Sequence, residues 1–192
     1  MNKPGKNEQS LSDLELIRRC KEGEVRAQEI LYRRYFSYAM SVAIRFTCDE
    51  GEAMEIVNDS YMKVLDNISG FENTRSFGSW YRRIIINSAI DSYRRNMKYL
   101  SHVEISAIGL TEEQEPEIDS ELSVEDILNL FRQLPENYRV TFNLFEIEGY
   151  THTEIGQILG ISASGSRSNL TRARKLLREL YIKNFNPEKG ER

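Results

Sequence analysis

The sequence predicts an all-α chain: two small helical domains joined by an acidic flexible linker. Three observations carry this. Apolar residues recur at spacings of three and four along most of the 192 residues, the period of helices that bury one face, and no strand-like alternation appears. Ser/Thr-x-x-Glu/Asp pairs and glycines stand where those stripes begin and end. The charge is segregated: a net −4 resolves into +2 over residues 14–98, −9 over 99–126 and +3 over 127–192.

Ser12-x-x-Glu15 reads as a capping box opening the first helix, with Leu14, Leu16, Ile17 and Cys20 as its apolar residues. Gly23 interrupts the pattern. Ile30, Leu31, Tyr35, Tyr38, Val42 and Phe46 continue as a second stripe, and Ala53, Ile56, Val57, Tyr61, Val64, Leu65 and Ile68 make a third. Phe77, Trp80, Tyr81, Ile84, Ile85 and Ser88 begin a fourth. Four helices with one stripe each can share a core, so residues 11–98 form the first domain.

Residues 99–121 read as the linker. They hold Gly109, Pro116 and the run Glu112-Glu113-Gln114-Glu115-Pro116-Glu117, whose like charges repel and extend the chain. The second domain covers 122–185. Ser123-x-x-Asp126 caps a helix bearing Ile127, Leu130, Phe131 and Leu134. Pro135 suits a first helical turn, and Val140, Leu144 and Ile147 follow. Thr151-x-x-Glu154 opens a short helix with Ile155, Ile158 and Leu159, which Gly160 stops. Ser162 then caps a longer helix with Leu170, Ala173, Leu176, Leu177 and Leu180.

Several function classes find no support. No nucleophile elbow, P-loop or dinucleotide fingerprint is present, so no catalysis and no cofactor are expected. Cys20 and Cys48 make no C-x-x-C pair and stand at no metal-ligand spacing from His102 or His152. They read as reduced, buried or half-buried thiols. The N-terminus leads into no signal-peptide core, and no apolar run approaches the roughly 20 residues of a membrane span. A cytoplasmic protein is the expectation.

Residues 151–178 have the shape of a helix-turn-helix: a short capped helix, a Gly-Ile-Ser turn and an Arg-rich second helix. The start of that second helix offers Ser164, Ser166, Arg167, Ser168 and Asn169 to base edges, while Arg172, Arg174 and Lys175 suit phosphate. A helical hairpin with a solvated basic face is the plainer alternative. On the fourth helix Arg83, Asn87, Asp91, Arg94 and Arg95 make one polar stripe, preceded by Phe71, Phe77, Trp80 and Tyr81. Basic and aromatic side chains together can track a single strand and stack its bases. A solvated stripe with Phe77 and Trp80 in the core accounts for the same residues.

The run Phe77-Gly78-Ser79-Trp80-Tyr81-Arg82-Arg83-Ile84-Ile85-Ile86-Asn87, followed by Asp91 and Arg94-Arg95, resembles the promoter-melting segment of sigma region 2. Ala53-Met54-Glu55-Ile56-Val57-Asn58-Asp59-Ser60-Tyr61-Met62-Lys63-Val64 resembles that region's polymerase-binding helix. Leu134-Pro135-Glu136-Asn137-Tyr138-Arg139-Val140, Gly149-Tyr150-Thr151-His152-Thr153-Glu154-Ile155-Gly156 and Arg172-Ala173-Arg174 look like region 4. The chain is similar to RNA polymerase sigma factors of the minimal extracytoplasmic-function (ECF) group.

The resemblance implies a four-helix region 2 and a helix-turn-helix region 4. It implies core RNA polymerase as partner, through its β′ clamp helices and β flap, together with promoter DNA and an anti-sigma factor, and no direct membrane insertion. Carried over by position, Glu55, Asn58, Asp59 and Lys63 would face polymerase. Asn87, Asp91, Arg94 and Arg95 would meet −10 DNA. Ser166, Arg167, Asn169, Arg172 and Arg174 would meet −35 DNA. Two departures stand out. Asn58 replaces the family's usual Gln, and Gly165-Ser166 stands where many relatives have Thr-Val. Two other functions fit parts of the sequence: a stand-alone helix-turn-helix regulator and a helical adaptor that binds only protein.

Overall fold

The computed structural model describes residues 11–72, 76–100 and 122–185. Every regular element among them is helical. In order these are α1 (Asp13–Lys21), α2 (Val25–Ala43), α3 (Glu50–Asn67), α4 (Phe77–Leu100), α5 (Val124–Arg132), α6 (Glu136–Phe142), α7 (His152–Leu159) and α8 (Ala163–Phe185). One-turn 3-10 segments cover Ile44–Phe46 and Ile68–Gly70, and a π turn covers Asn143–Ile147. The linker expected over 99–121 lies outside the described residues from 101 onward, and residues 99 and 100 close α4. No helix among the described residues is long and apolar enough to cross a membrane.

By contacts the chain divides into two compact units: Met1–Ile44 with Glu50–Ala89, and Arg45–Asp49 with Ile90–Arg192. In the first unit α1 packs on α2 and α2 on α3. Leu16, Ile17, Leu31, Val57, Val64 and Ile85 lie in its core. Aromatic side chains then tie the elements together. Tyr35 of α2 meets Phe77 of α4 edge-on at 4.7 Å, Tyr32 of α2 meets Tyr61 of α3 at 4.9 Å, and Tyr61 lies 6.4 Å from Tyr81 of α4. Such pairs contribute about 0.5–1.5 kcal/mol each beyond the area they bury. Phe77 is therefore a core residue, 4% exposed, while Trp80 sits half-buried against Phe71 and Phe77.

The expected helix starts hold, with one difference. Ser123 with Asp126 and Thr151 with Glu154 form complete capping boxes. At α1 only half of the box forms: Ser12 accepts from the Glu15 N–H, but the Glu15 carboxylate turns to Arg18 and Arg19. Two cations one turn along the helix outcompete one backbone N–H. Cys20 is buried as expected and Cys48 is exposed, which corrects the reading of both thiols as buried or half-buried. Burial pushes the Cys20 thiol up to about 11.

In the second unit α5, α6 and α7 all lie on α8. The π turn was not expected. The Glu148 N–H reaches back five residues to Asn143 O at 3.0 Å, which inserts one extra residue into the helical path. This breaks the Val140, Leu144, Ile147 stripe: Val140 and Leu144 are buried, but Ile147 is turned outward, 39% exposed.

Gly156 sets how closely α7 approaches the turn after it. A Cβ there would lie 2.8 Å from the Ile161 carbonyl and 3.3 Å from the Ala163 nitrogen, both backbone atoms. Gly156→Ala is expected to lower the melting stability of the full chain by about 1–3 kcal/mol, the usual cost of overpacking. Chemical denaturation followed by circular dichroism measures it, and an unchanged midpoint would contradict the close approach.

Candidate nucleic-acid interface

The second unit builds its helix-turn-helix from local bonds. Thr151 caps α7: its Oγ1 accepts from the Glu154 N–H at 3.3 Å, and the Glu154 carboxylate accepts from the Thr151 N–H at 2.8 Å. The Thr151 hydroxyl and N–H hold the Glu154 carboxyl below its usual range. α7 ends at Gly160 in the left-handed conformation, φ +70°. The Ile161 N–H then closes on Gly156 O at 3.0 Å. Ser162 caps α8 by accepting from the Gly165 N–H at 2.9 Å. Gly165 fits its place: a Cβ there would come within 3.3 Å of the capping Ser162 hydroxyl.

The α8 helix divides its residues by face. Ser166, Leu170 and Ala173 point inward, buried. Ser164, Arg167, Ser168, Thr171 and Arg174 are exposed and share the other side, with Asn169 and Arg172 half-buried on the flanks. This corrects the reading of Ser166 as a DNA-facing residue. Its relative exposure is 0%, and its hydroxyl lies 3.0 Å from His152 Nδ1. The sequence held the signal, since Ser166 precedes Leu170 by four and Ala173 by seven, on the core face.

His152 links the two helices of the motif. Its ring stacks on Phe145 of the π turn, with centroids 4.4 Å apart and planes at 18°. Desolvation, then Arg167 and Arg174, lower its pKa below the ordinary 6.5. Arg174 in turn is engaged by Glu146 of the same π turn, whose Oε1 accepts from Arg174 Nε at 2.9 Å and from Nη2. A phosphate must therefore displace a carboxylate to take this guanidinium. Glu146 and Thr171, neither singled out by the sequence reading, belong to this surface. Glu146 comes to Arg174 through a distant fold contact with no sequence signature. Thr171 was legible as three residues before Arg174 on the exposed face.

On α4 the residues Ile85, Ile86, Ser88, Ala89, Ile90 and Tyr93 are buried, so the polar stripe faces outward. Asn87, Arg94 and Arg95 are exposed and Asp91 is half-buried. Asp91 and Arg94 form a loose pair at 3.9 Å, both about half exposed. On α3, Glu55, Asn58 and Asp59 are exposed and Lys63 is half-buried. Met54 and Met62 are exposed beside them, one turn either side of Asn58. Tyr32 of α2 donates to Asn58 Oδ1 at 2.8 Å. The Asn58 amide is thereby held in one orientation.

Two outcomes follow. Ser166→Ala removes the bond to His152 without altering the exposed face. It should cost about 1 kcal/mol of stability and leave duplex-DNA affinity of the folded protein unchanged; a loss of affinity as large as that of Arg167→Ala would restore Ser166 to the contact surface. The neutral His152 ring favours the folded state, because its folded pKa lies below its unfolded value. Its contribution is therefore complete above pH 6.5 and is lost as pH falls through the lowered folded value. Thermal melts between pH 5 and 7.5 should show that decline, and His152→Gln should flatten it.

Comparison with known proteins supplies the family. The sigma-70 region 2 family matches residues 31–99 and the sigma-70 region 4 family matches 124–177, together more than half of the chain and in that order. The RNA polymerase sigma-H factor of Pseudomonas aeruginosa is 24% identical over 177 residues, covering 86% of this chain and 91% of that protein. The ECF RNA polymerase sigma-E factor of Haemophilus influenzae is 24% identical, covering 88% and 95%. The sigma factor YlaC of Bacillus subtilis is 28% identical, covering 84% and 95%. Among solved structures, the sigma factor RpoE with the anti-sigma factor NepR from Bartonella quintana aligns with TM-score 0.47 at 21% identity, covering 82% and 96%. From its two matched regions and these full-length relatives, the chain belongs to the sigma-70 family of RNA polymerase sigma factors, in its extracytoplasmic-function group.

Proposed function

We propose that this chain binds core RNA polymerase and directs it to promoters, with region 2 reading an opened −10 element and region 4 reading the −35 element as duplex. The observation that carries this is the pairing, in one chain, of an outward polar stripe on α4 with an outward Arg-bearing face on α8. A stand-alone regulator needs only the second.

The roles follow from chemistry. Asn87 and Arg95 offer donors to a single strand on α4, and Arg94, loosely paired with Asp91, would exchange for the strand the bonds its guanidinium donates to the Ile158 carbonyl at 2.9 and 2.6 Å. Arg167 on α8 carries a forked set of donors that suits a guanine edge. Asn169, Arg172 and Arg174 flank it and suit backbone phosphates, which bring affinity without sequence information. Glu55, Asn58, Asp59 and Lys63 on α3 form a mixed-charge surface for the β′ clamp helices, and region 4 is assigned to the β flap. In this reading polymerase supplies the chemistry and the sigma factor supplies the address. An anti-sigma protein that covers the same faces would keep the factor inactive.

Run-off transcription with purified bacterial core polymerase on genomic promoter fragments tests the proposal. Adding this chain should yield new, specific transcripts, and Asn87→Ala with Arg94→Ala should abolish them while leaving the helical content unchanged. Silence from a polymerase that works with its housekeeping sigma, combined with nanomolar duplex binding by this chain alone, would instead support a stand-alone regulator.

A further inference from the structure

The outward face of α8 and one hydrogen bond within it carry a further step, which rests on the −35 reading proposed above. Arg167 and Thr171 stand one helical turn apart on the exposed face, in the first half of the helix, with Ser168 beside them. The Thr171 hydroxyl donates to the Arg167 carbonyl at 3.0 Å. Its single hydrogen is thereby committed to the backbone. What Thr171 still presents is an acceptor oxygen and a methyl group, with no donor. The same bond selects among the rotamers of a β-branched side chain, so this chemistry is held in place before any DNA arrives.

The four bases answer that chemistry differently. In the major groove guanine shows the acceptors N7 and O6, adenine and cytosine show amino donors, and thymine shows a methyl. An acceptor-only residue against guanine leaves acceptors facing one another with no hydrogen between them. Against adenine or cytosine it can accept, and against thymine the two methyls meet. Arg167 is the reverse, because its guanidinium has donors only. Ser168 keeps a rotatable hydroxyl and discriminates weakly.

We infer that Thr171 is a specificity-determining residue of the −35 contact: Arg167 selects guanine at one base, and Thr171 rejects guanine at another. The two residues form a pair of opposite hydrogen-bonding polarity, and the bond to the Arg167 carbonyl both removes the Thr171 donor and orients its side chain.

A promoter library randomised across the −35 element and transcribed by core polymerase with the full chain tests this. The wild-type protein should enrich guanine at one position, a preference lost in Arg167→Ala. At a second position it should deplete guanine by about tenfold, the scale of one base-edge mismatch. Thr171→Ala should lift that depletion, and Thr171→Arg, which supplies donors at an exposed site, should convert it to enrichment. Base frequencies unchanged in both Thr171 variants would overturn the inference, and so would a Thr171-dependent position at which the wild type prefers guanine. Failure of the wild type to give any transcript with polymerase would instead remove the promoter-reading role beneath it. A wild type that selects a −35 pattern indifferent to Thr171 would remove only this inference.

Discussion

The DNA-reading unit depends on one close approach, that of the turn backbone over Gly156. With no side chain there, the Ile161 carbonyl can lie where a Cβ would stand 2.8 Å away, and the Ile161 N–H returns to Gly156 O. The left-handed residue Gly160 makes that reversal possible, since a φ of +70° strains any residue with a Cβ. Everything on the exposed face of α8 takes its direction from this turn. Helix direction fixes which residues point out, and a shift of one residue would carry Arg167 into the buried place of Ser166.

Around that turn the polar groups are arranged by burial. Ser166 and His152 satisfy each other inside the motif, and the stacked Phe145 leaves the ring little room to move. An uncharged ring at this point avoids placing a third cation beside Arg167 and Arg174. Glu146 then neutralises part of the cationic face through Arg174. Both Phe145 and Glu146 come from the π turn. The extra residue that removed Ile147 from the core stripe thus belongs to the segment that supports the recognition helix. Exposed pairs of this kind add little to stability.

The first unit solves a different problem. Its α3 and α4 helices must each bury one face and leave a polar face open. The contacts among Tyr32, Tyr35, Tyr61, Phe77 and Tyr81 do this by joining α2, α3 and α4 through large rings. Ser60 and Tyr81 share a 3.3 Å hydrogen bond inside that cluster, so the Tyr hydroxyl is satisfied without reaching water. With those faces committed, Glu55, Asn58 and Asp59 on α3 and Asn87 on α4 remain outside. Tyr32 extends the same logic to the surface by holding Asn58.

The sequence by itself determined the helical class, the breaks at Gly23 and Gly160, and the caps at Ser12, Ser123, Thr151 and Ser162. These rest on periodicity and on backbone hydrogen bonds a few residues long, which local sequence controls. It also carried the polar stripe of α4, because every third or fourth residue of a helix shares a face. Tertiary structure decided the rest. The π turn, the Glu146–Arg174 pair and the stacking of Phe145 on His152 join residues whose contact has no signature at any fixed spacing. The Glu15 carboxylate turned from its expected cap to two arginines because side-chain competition, not pattern, settled it. Ser166 shows the boundary between the two: its position on the core face was readable from Leu170 and Ala173, but its partner was not. A hydroxyl is chosen for burial only when the fold brings it a hydrogen-bonding partner, and here that partner is His152, fourteen residues earlier in the chain.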